Sequence, residues 1–215
     1  MTAVLCYGDS NTWGYVPGTG LRIGRWERWP GVLQRALGED VHVIEEGLSG
    51  RTTAFDVPFS PQRNGLAYLP VALMTHAPLD AVVLLLGTND VFLPGVNAHQ
   101  AARGAMTIVE TIRASMAGPE GEAPSVLVLI PPSFAPLGPD GLEAPDAERE
   151  SERFPDAFRA IAARDAEWIG GEVPLLDLGE LIASSPVDGI HFDVEAHRTI
   201  GGSVAARLRD LLGLT

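Results

Sequence analysis

Three residue types that together perform acyl transfer occur in this chain inside short, turn-forming stretches. Ser10 lies in "YGDSNTWGY" (7–15), directly behind an apolar run, and His191 closes "VDGIH" (187–191), three residues after Asp188. A serine hydroxyl is a weak nucleophile until a neighbouring base takes its proton, and a histidine is such a base near neutral pH. A carboxylate three residues before the histidine is close enough on one turn to hold the imidazole tautomer. The tetrahedral intermediate carries an oxyanion that needs hydrogen-bond donors. The donors on offer are the Asn89 side chain in "GTND" (87–90) and the backbone N–H groups of Ser10 and of Gly50, the latter in "SGRTT" (49–53). Each residue also has an ordinary structural use. Ser10 suits a helix cap, Asn89, Asp90 and Asp188 suit turns, and a lone histidine is commonly structural.

Elements that would gather these residues alternate along the chain. Apolar runs rich in branched residues occur at 3–7, 41–46, 80–86, 125–130 and 173–178, as expected of strands buried on both faces. Helical patterns separate them. Pro30 suits a first turn before "GVLQRAL", which Gly38 stops, and Asn97 caps a stretch running to Gly118. Two more cover 155–171 and 193–213, the last capped by Asp193. This βαβα order predicts a parallel sheet with helices on both faces, in a single domain over 1–215. Ligands of such sheets bind beyond the carboxyl ends of the strands. Ser10, Gly50, Asn89, "PPS" (131–133) and, at some distance, Asp188 with His191 all follow successive strand runs. The usual elbow G-x-S-x-G is absent, so the nucleophile is expected near the N-terminus.

Composition removes other classes. A formal charge of −13 argues against a nucleic-acid partner. All fifteen basic residues are arginine, which excludes lysine Schiff-base chemistry and a P-loop lysine. No run approaches the ~20 apolar residues of a membrane span, and no export signal is evident, so a cytoplasmic protein off the membrane is expected. Cys6 reads as a buried core thiol. "GTGLRIG" (18–24) is a poor dinucleotide fingerprint because no strand precedes it. Asp188, His191, Asp193, Glu195 and His197 crowd together, yet a triad and a helix cap account for them without a metal, and no cofactor is expected. The Pro-rich, then acidic stretch 131–154 reads as a loop, either solvated or walling a site or a subunit contact.

"GDSNTWG", "SGRTT", "GTND" and "DGIH" resemble, in order, the four sequence blocks of the SGNH hydrolases, also called the GDSL family, over residues 6 to about 212. The resemblance implies a three-layer, flavodoxin-like α/β/α fold with a five-stranded parallel sheet of order 2-1-3-4-5. It implies Ser10 as nucleophile, His191 as base and acid, Asp188 as its partner, and an oxyanion hole from Ser10, Gly50 and Asn89. Longer stretches, among them "VIEEGLSGRTT" and "NGLAYLP", resemble bacterial arylesterases and acyltransferases that act on short-chain esters; some of these move acyl groups to alcohols or peroxide and assemble as oligomers, so the resemblance implies a homo-oligomer. Glu45-Glu46 and Phe192 depart from many members of the broad family, which carry asparagine and proline there, and match this subgroup. A small-molecule ester is then the expected partner, with Trp13, Tyr15 and Phe192 expected to line the acyl pocket. The alternatives are a carbohydrate O-acetyl esterase, a lysophospholipase or thioesterase of the same family, an inactive scaffold and a nucleotide-binding module.

Overall fold

Alternation inside each strand explains why the sheet is covered twice. In β1 (Thr2–Gly8), Leu5 and Tyr7 enter one core while Val4 and Cys6 enter the other, and all four are fully buried. The structure, a computed structural model, describes residues 1–137 and 145–214. After β1 come α1 (Ser10–Trp13), α2 (Trp29–Leu37), β2 (Val41–Gly47), α3 (Gly65–His76), β3 (Ala81–Leu85) and α4 (Ala98–Arg113). Then follow β4 (Ser125–Ile130), α5 (Pro145–Ser151), α6 (Phe154–Asp165), β5 (Leu175–Asp177) and α7 (Val194–Leu212). The strands are parallel in the order β2-β1-β3-β4-β5, as the resemblance implied.

On one face, Leu5, Val82, Leu84 and Val128 meet α3, α4 and α6 through Leu69, Ile108 and Phe158. On the other, Val83, Leu85 and Leu129 meet α2 and α7 through Trp29, Leu33, Ile200 and Val204. Each such side chain contributes about 1.5–3 kcal/mol by leaving water, so these strands are held by burial from both sides.

Local signals set most boundaries. Pro30 sits in the first turn of α2, and the Gly38 N–H closes it on the Gln34 carbonyl. Asn97 and Gln100 form a reciprocal capping box on α4, and Asp193 Oδ1 accepts the Ala196 N–H at 2.8 Å on α7. Other expectations change. The α4 helix stops at Arg113 rather than Gly118, because the chain beyond it braces the entry to β3, where the Leu79 N–H reaches Ala117 O at 2.8 Å. The run 173–178 yields a strand of only three residues at the sheet edge. Helix α3 has no counterpart among the predicted elements: Pro70 lies inside it, and apolar residues surround it, with Leu69 and Leu73 buried but Val71 and Met74 exposed. Stretch 131–154, expected to be loop, includes α5 and the start of α6; its positions 138–144 lie outside the described residues.

Candidate active site

The first turn of the chain divides two jobs between neighbouring side chains. Asp9 is the N-cap of α1, its Oδ1 accepting the Asn11 N–H at 2.9 Å. Ser10 is therefore the first helical residue and not the cap, and its hydroxyl is free to meet another loop. Gly47 makes this compact turn possible, since a Cβ there would lie 2.2 Å from the Trp13 backbone nitrogen. The helix thus rests directly on the end of β2.

The other loop carries the histidine. Ser10 Oγ donates to His191 Nε2 at 3.0 Å, and His191 Nδ1 donates to Asp188 Oδ2 at 2.8 Å. With the Nδ1 proton held by the carboxylate, Nε2 keeps its lone pair for the serine proton. Asp188 Oδ1 accepts the backbone N–H groups of Ile190 and His191 at 3.1 and 3.0 Å, and Oδ2 also accepts the Gly18 N–H at 2.9 Å. Burial by itself raises this carboxyl, but the His191 backbone, its ring and the Ile190 N–H outweigh it and hold Asp188 below the usual carboxylate range. Burial lowers His191, with Asp188 opposing, so the imidazole stays neutral near pH 7 and able to take a proton.

Asn89, Gly50 and Asp9 form the opposite wall. The Asn89 amide donates to Arg51 O at 3.0 Å and to Asp9 Oδ2 at 3.2 Å, which ties the turns after β1, β2 and β3 together. Gly50 adopts φ +77, a left-handed geometry that glycine adopts without strain. Among the described residues, neither the Ser10 nor the Gly50 backbone N–H has a hydrogen-bond acceptor. Arg51, buried, does not face solvent. It donates to the carbonyls of Gly8, at 3.0 Å, and Glu46, and lies 4.2 Å above the Tyr7 ring. Beneath Asn89, burial pushes Asp9 up to about 7, with Asn11 and Arg51 partly opposing and Asp90 adding to it. Asp90 rises to about 7 for the same first reason, although Thr53 donates to it through its N–H and its hydroxyl.

Among the aromatic residues, Trp13 and Tyr15 stand half-buried at the rim, their rings 6.5 Å apart. Phe192 does not. It is 1% exposed, lies in the core against α7 and meets the His197 ring edge-on at 5.9 Å. The turn that sends His191 to the rim sends the next side chain into the sheet face, so the pocket assignment of Phe192 is corrected. Sequence reasoning gave no role to Phe92, three residues past Asn89, which stacks on Phe134 at 5.3 Å. Asp193 is spent on its cap, and buried His197 accepts the Trp29 N–H at Nδ1, 3.2 Å away. A cavity of about 880 Å³ lies elsewhere, between α3 and α4; Thr111 and Ser115 in its lining donate to backbone carbonyls, and among the described residues that line it there is no histidine.

A family model described as the GDSL-like lipase/acylhydrolase family matches residues 6–199. Among solved structures, the native aryl esterase of M. smegmatis gives a TM-score of 0.89 at 38% identity, covering 98% of this chain and 100% of that one. The carbohydrate acetylesterase Est24 of Sinorhizobium meliloti gives 0.89 at 34% identity, with 98% and 100% covered. A carbohydrate acetylesterase family member from the same organism gives 0.89 at 37% identity, with each chain covered completely. No curated protein matches. The match takes in every turn that builds this rim, and its likeness to esterases extends from end to end: the chain belongs to the GDSL-like lipase/acylhydrolase family and is a serine ester hydrolase.

Proposed function

We propose that the protein hydrolyses short-chain carboxylic esters, aryl esters above all, through an acyl-enzyme on Ser10. The observation that carries this reading is the continuous line Ser10 Oγ, His191 Nε2, His191 Nδ1, Asp188 Oδ2, with steps of 3.0 and 2.8 Å between side chains. Ser10 Oγ bonds to the acyl carbon as its proton passes to His191 Nε2. The oxyanion is held by the Ser10 and Gly50 N–H groups and by Asn89, for which it competes with Asp9 and Arg51 O. His191 then protonates the departing alcohol or phenol. Water enters, loses a proton to His191, and displaces the acid, while the proton returns to Ser10.

Trp13 and Tyr15 would border the acyl group with apolar surface. That surface favours an alcohol over water by ~25 cal/mol per Å² of apolar contact, which supports acyl transfer to alcohols beside hydrolysis; transfer to peroxide rests on the arylesterase resemblance alone. The arylesterase resemblance supports a homo-oligomer. An unbridged, buried Cys6 suits a reducing compartment, here taken as the cytoplasm. No helix among the described residues is long and apolar enough to cross a membrane. A second reading, deacetylation of carbohydrates, is favoured by the likeness to Est24.

A chain-length series of p-nitrophenyl esters beside acetylated sugars tests both readings. Fastest turnover of acetate to butyrate aryl esters, lost in a folded Ser10→Ala variant, is expected. Faster release of acetate from sugars favours the second reading, and covalent labelling at Ser49 or Ser133 by an organophosphonate refutes the nucleophile.

A further inference from the structure

Among the described residues, one donor to Asp188 comes from outside its own loop. It is the Gly18 N–H, 2.9 Å from Oδ2 and 170 residues away in sequence. Gly18 sits in a segment folded back on itself. Tyr15 and Arg22 form an antiparallel bridge, and the Val16 N–H reaches Leu21 O at 2.9 Å. Both ends are tied to the helix that carries Ser10: the Tyr15 N–H donates to Ser10 O at 3.0 Å and Arg22 Nε to Trp13 O at 2.8 Å. The same segment lays the Tyr15 ring on the His191 imidazole, with centroids 4.1 Å apart and planes 23° apart. One short loop thus holds the serine helix at its base, the carboxylate through an N–H and the imidazole through a ring face.

We propose that residues 15–22 are a positioning strap for the histidine–aspartate pair, with Tyr15 and Gly18 acting through His191 and Asp188. This rests on the reading of His191 as the base. The physical reason is that an imidazole linked only through its two nitrogens still tips about that axis. A ring stacked on its face removes the tipping and keeps water from that side. The Gly18 N–H fixes the carboxylate plane to which Nδ1 is aimed. Gly18 has φ +71, and a Cβ on it would lie 2.9 Å from Val187 Cγ1, so the loop reaches Asp188 in this form without strain only with glycine there.

The test separates positioning from pocket lining and from structure. The titratable groups in contact with His191 are Asp188 on its own loop and Tyr15 on the strap; His197 on α7, buried against Phe192, senses its charge more weakly. The His191 midpoint is followed by NMR of its ring proton in whole protein, alongside pH profiles with p-nitrophenyl acetate. Burial holds that midpoint below the ordinary histidine value, so Tyr15→Leu, by letting water in, should raise it and shift the acid limb of kcat/KM by the same amount. It should also lower kcat about tenfold with KM little changed. Tyr15→Phe, which keeps the ring, should restore the midpoint. Gly18→Ala should lower kcat more than KM. An unmoved midpoint in Tyr15→Leu with a changed acyl-length preference makes Tyr15 a pocket wall and overturns the strap; should that variant not fold, a Gly18→Ala variant with unchanged kcat does so. The midpoint is read without turnover, so it judges the strap even if Ser10→Ala proves active and the base assignment fails.

Discussion

The carboxylates on the two sides of the rim end in different states: half-buried Asp188 on the loop side, fully buried Asp9 and Asp90 on the strand side. On the loop side, Asp188 receives four N–H donors, and they hold its pKa below the usual range although burial opposes them. On the strand side, Asp9 receives the Asn11 N–H and the Asn89 amide and is sealed under α1, and burial raises it to about 7. The Asp90 carboxyl beside it shares that fate. The residue type is the same and the walls are adjacent. Two things differ: Asp9 and Asp90 have lost nearly all contact with water while Asp188 keeps part of it, and Asp188 has more donors, so the balance between desolvation and hydrogen bonding falls on opposite sides. The loop side thereby keeps a charge to hold the imidazole, while the strand-side carboxyls are only partly charged near pH 7 and repel an oxyanion less than two full carboxylates would.

The largest effect expected is at Asp188. Asp188→Asn keeps the shape but removes the charge and the tautomer control, so kcat for p-nitrophenyl acetate should fall by roughly 10⁴ in a folded protein. A loss below tenfold would erase the distinction between the two sides.

Asn89 comes next. Its amide would act in the transition state, so Asn89→Ala should lower kcat by roughly 10²–10³, about 3–4 kcal/mol, with KM little changed. A rise in KM alone would make the strand side a ground-state binding surface.

The smallest effect on rate belongs to Asp9. Asp9→Asn changes a group already partly uncharged and alters one acceptor to Asn89, a change of about 1 kcal/mol, so kcat at pH 6 should stay within about tenfold of the parent. Its signature lies in stability. The folded-state pKa of Asp9 is raised above that of the unfolded chain, to about 7. Its share of stability is therefore complete below about pH 4 and is lost as pH rises through about 7. Urea midpoints at pH 5 and pH 8 should move in favour of Asp9→Asn at the higher pH. His197 runs the other way: burial lowers it to about 4, so its share is complete above about pH 6.5 and lost as pH falls through 4. The comparison between the two pH values in one variant cancels that background, and an unchanged difference would mean that Asp9 is charged throughout.

Much of this is legible in the sequence. The five apolar runs contain the five strands: the central β1, β3 and β4 are covered on both faces and carry almost no polar position to disguise them, while the edge strands β2 and β5 are less buried. Asn97, Asp193 and Gly38 mark helix ends because a cap depends only on residues within one turn. Ser10, Asp188 and His191 stood out because the pairing within "DGIH" is local and the serine follows the first strand directly. Helix α3 was hidden because Pro70 interrupts its pattern and its apolar residues surround the axis.

Only the tertiary structure decided which side of a turn each side chain takes. Phe192 was legible as an aromatic beside a catalytic-type histidine, yet it fills the core under α7, because consecutive side chains there face opposite ways and the helix claims one of them. Asp9 took the cap from Ser10. The Gly18 N–H met a carboxylate 170 residues away, and the Tyr15 ring came to rest on His191. Caps, turns and buried strands follow from near-neighbour sterics and periodicity, which a sequence carries in full. Contacts between loops follow from how the strand ends are spaced once both faces of the sheet are packed, and the charge of each carboxyl follows from the donors and the water left there afterwards.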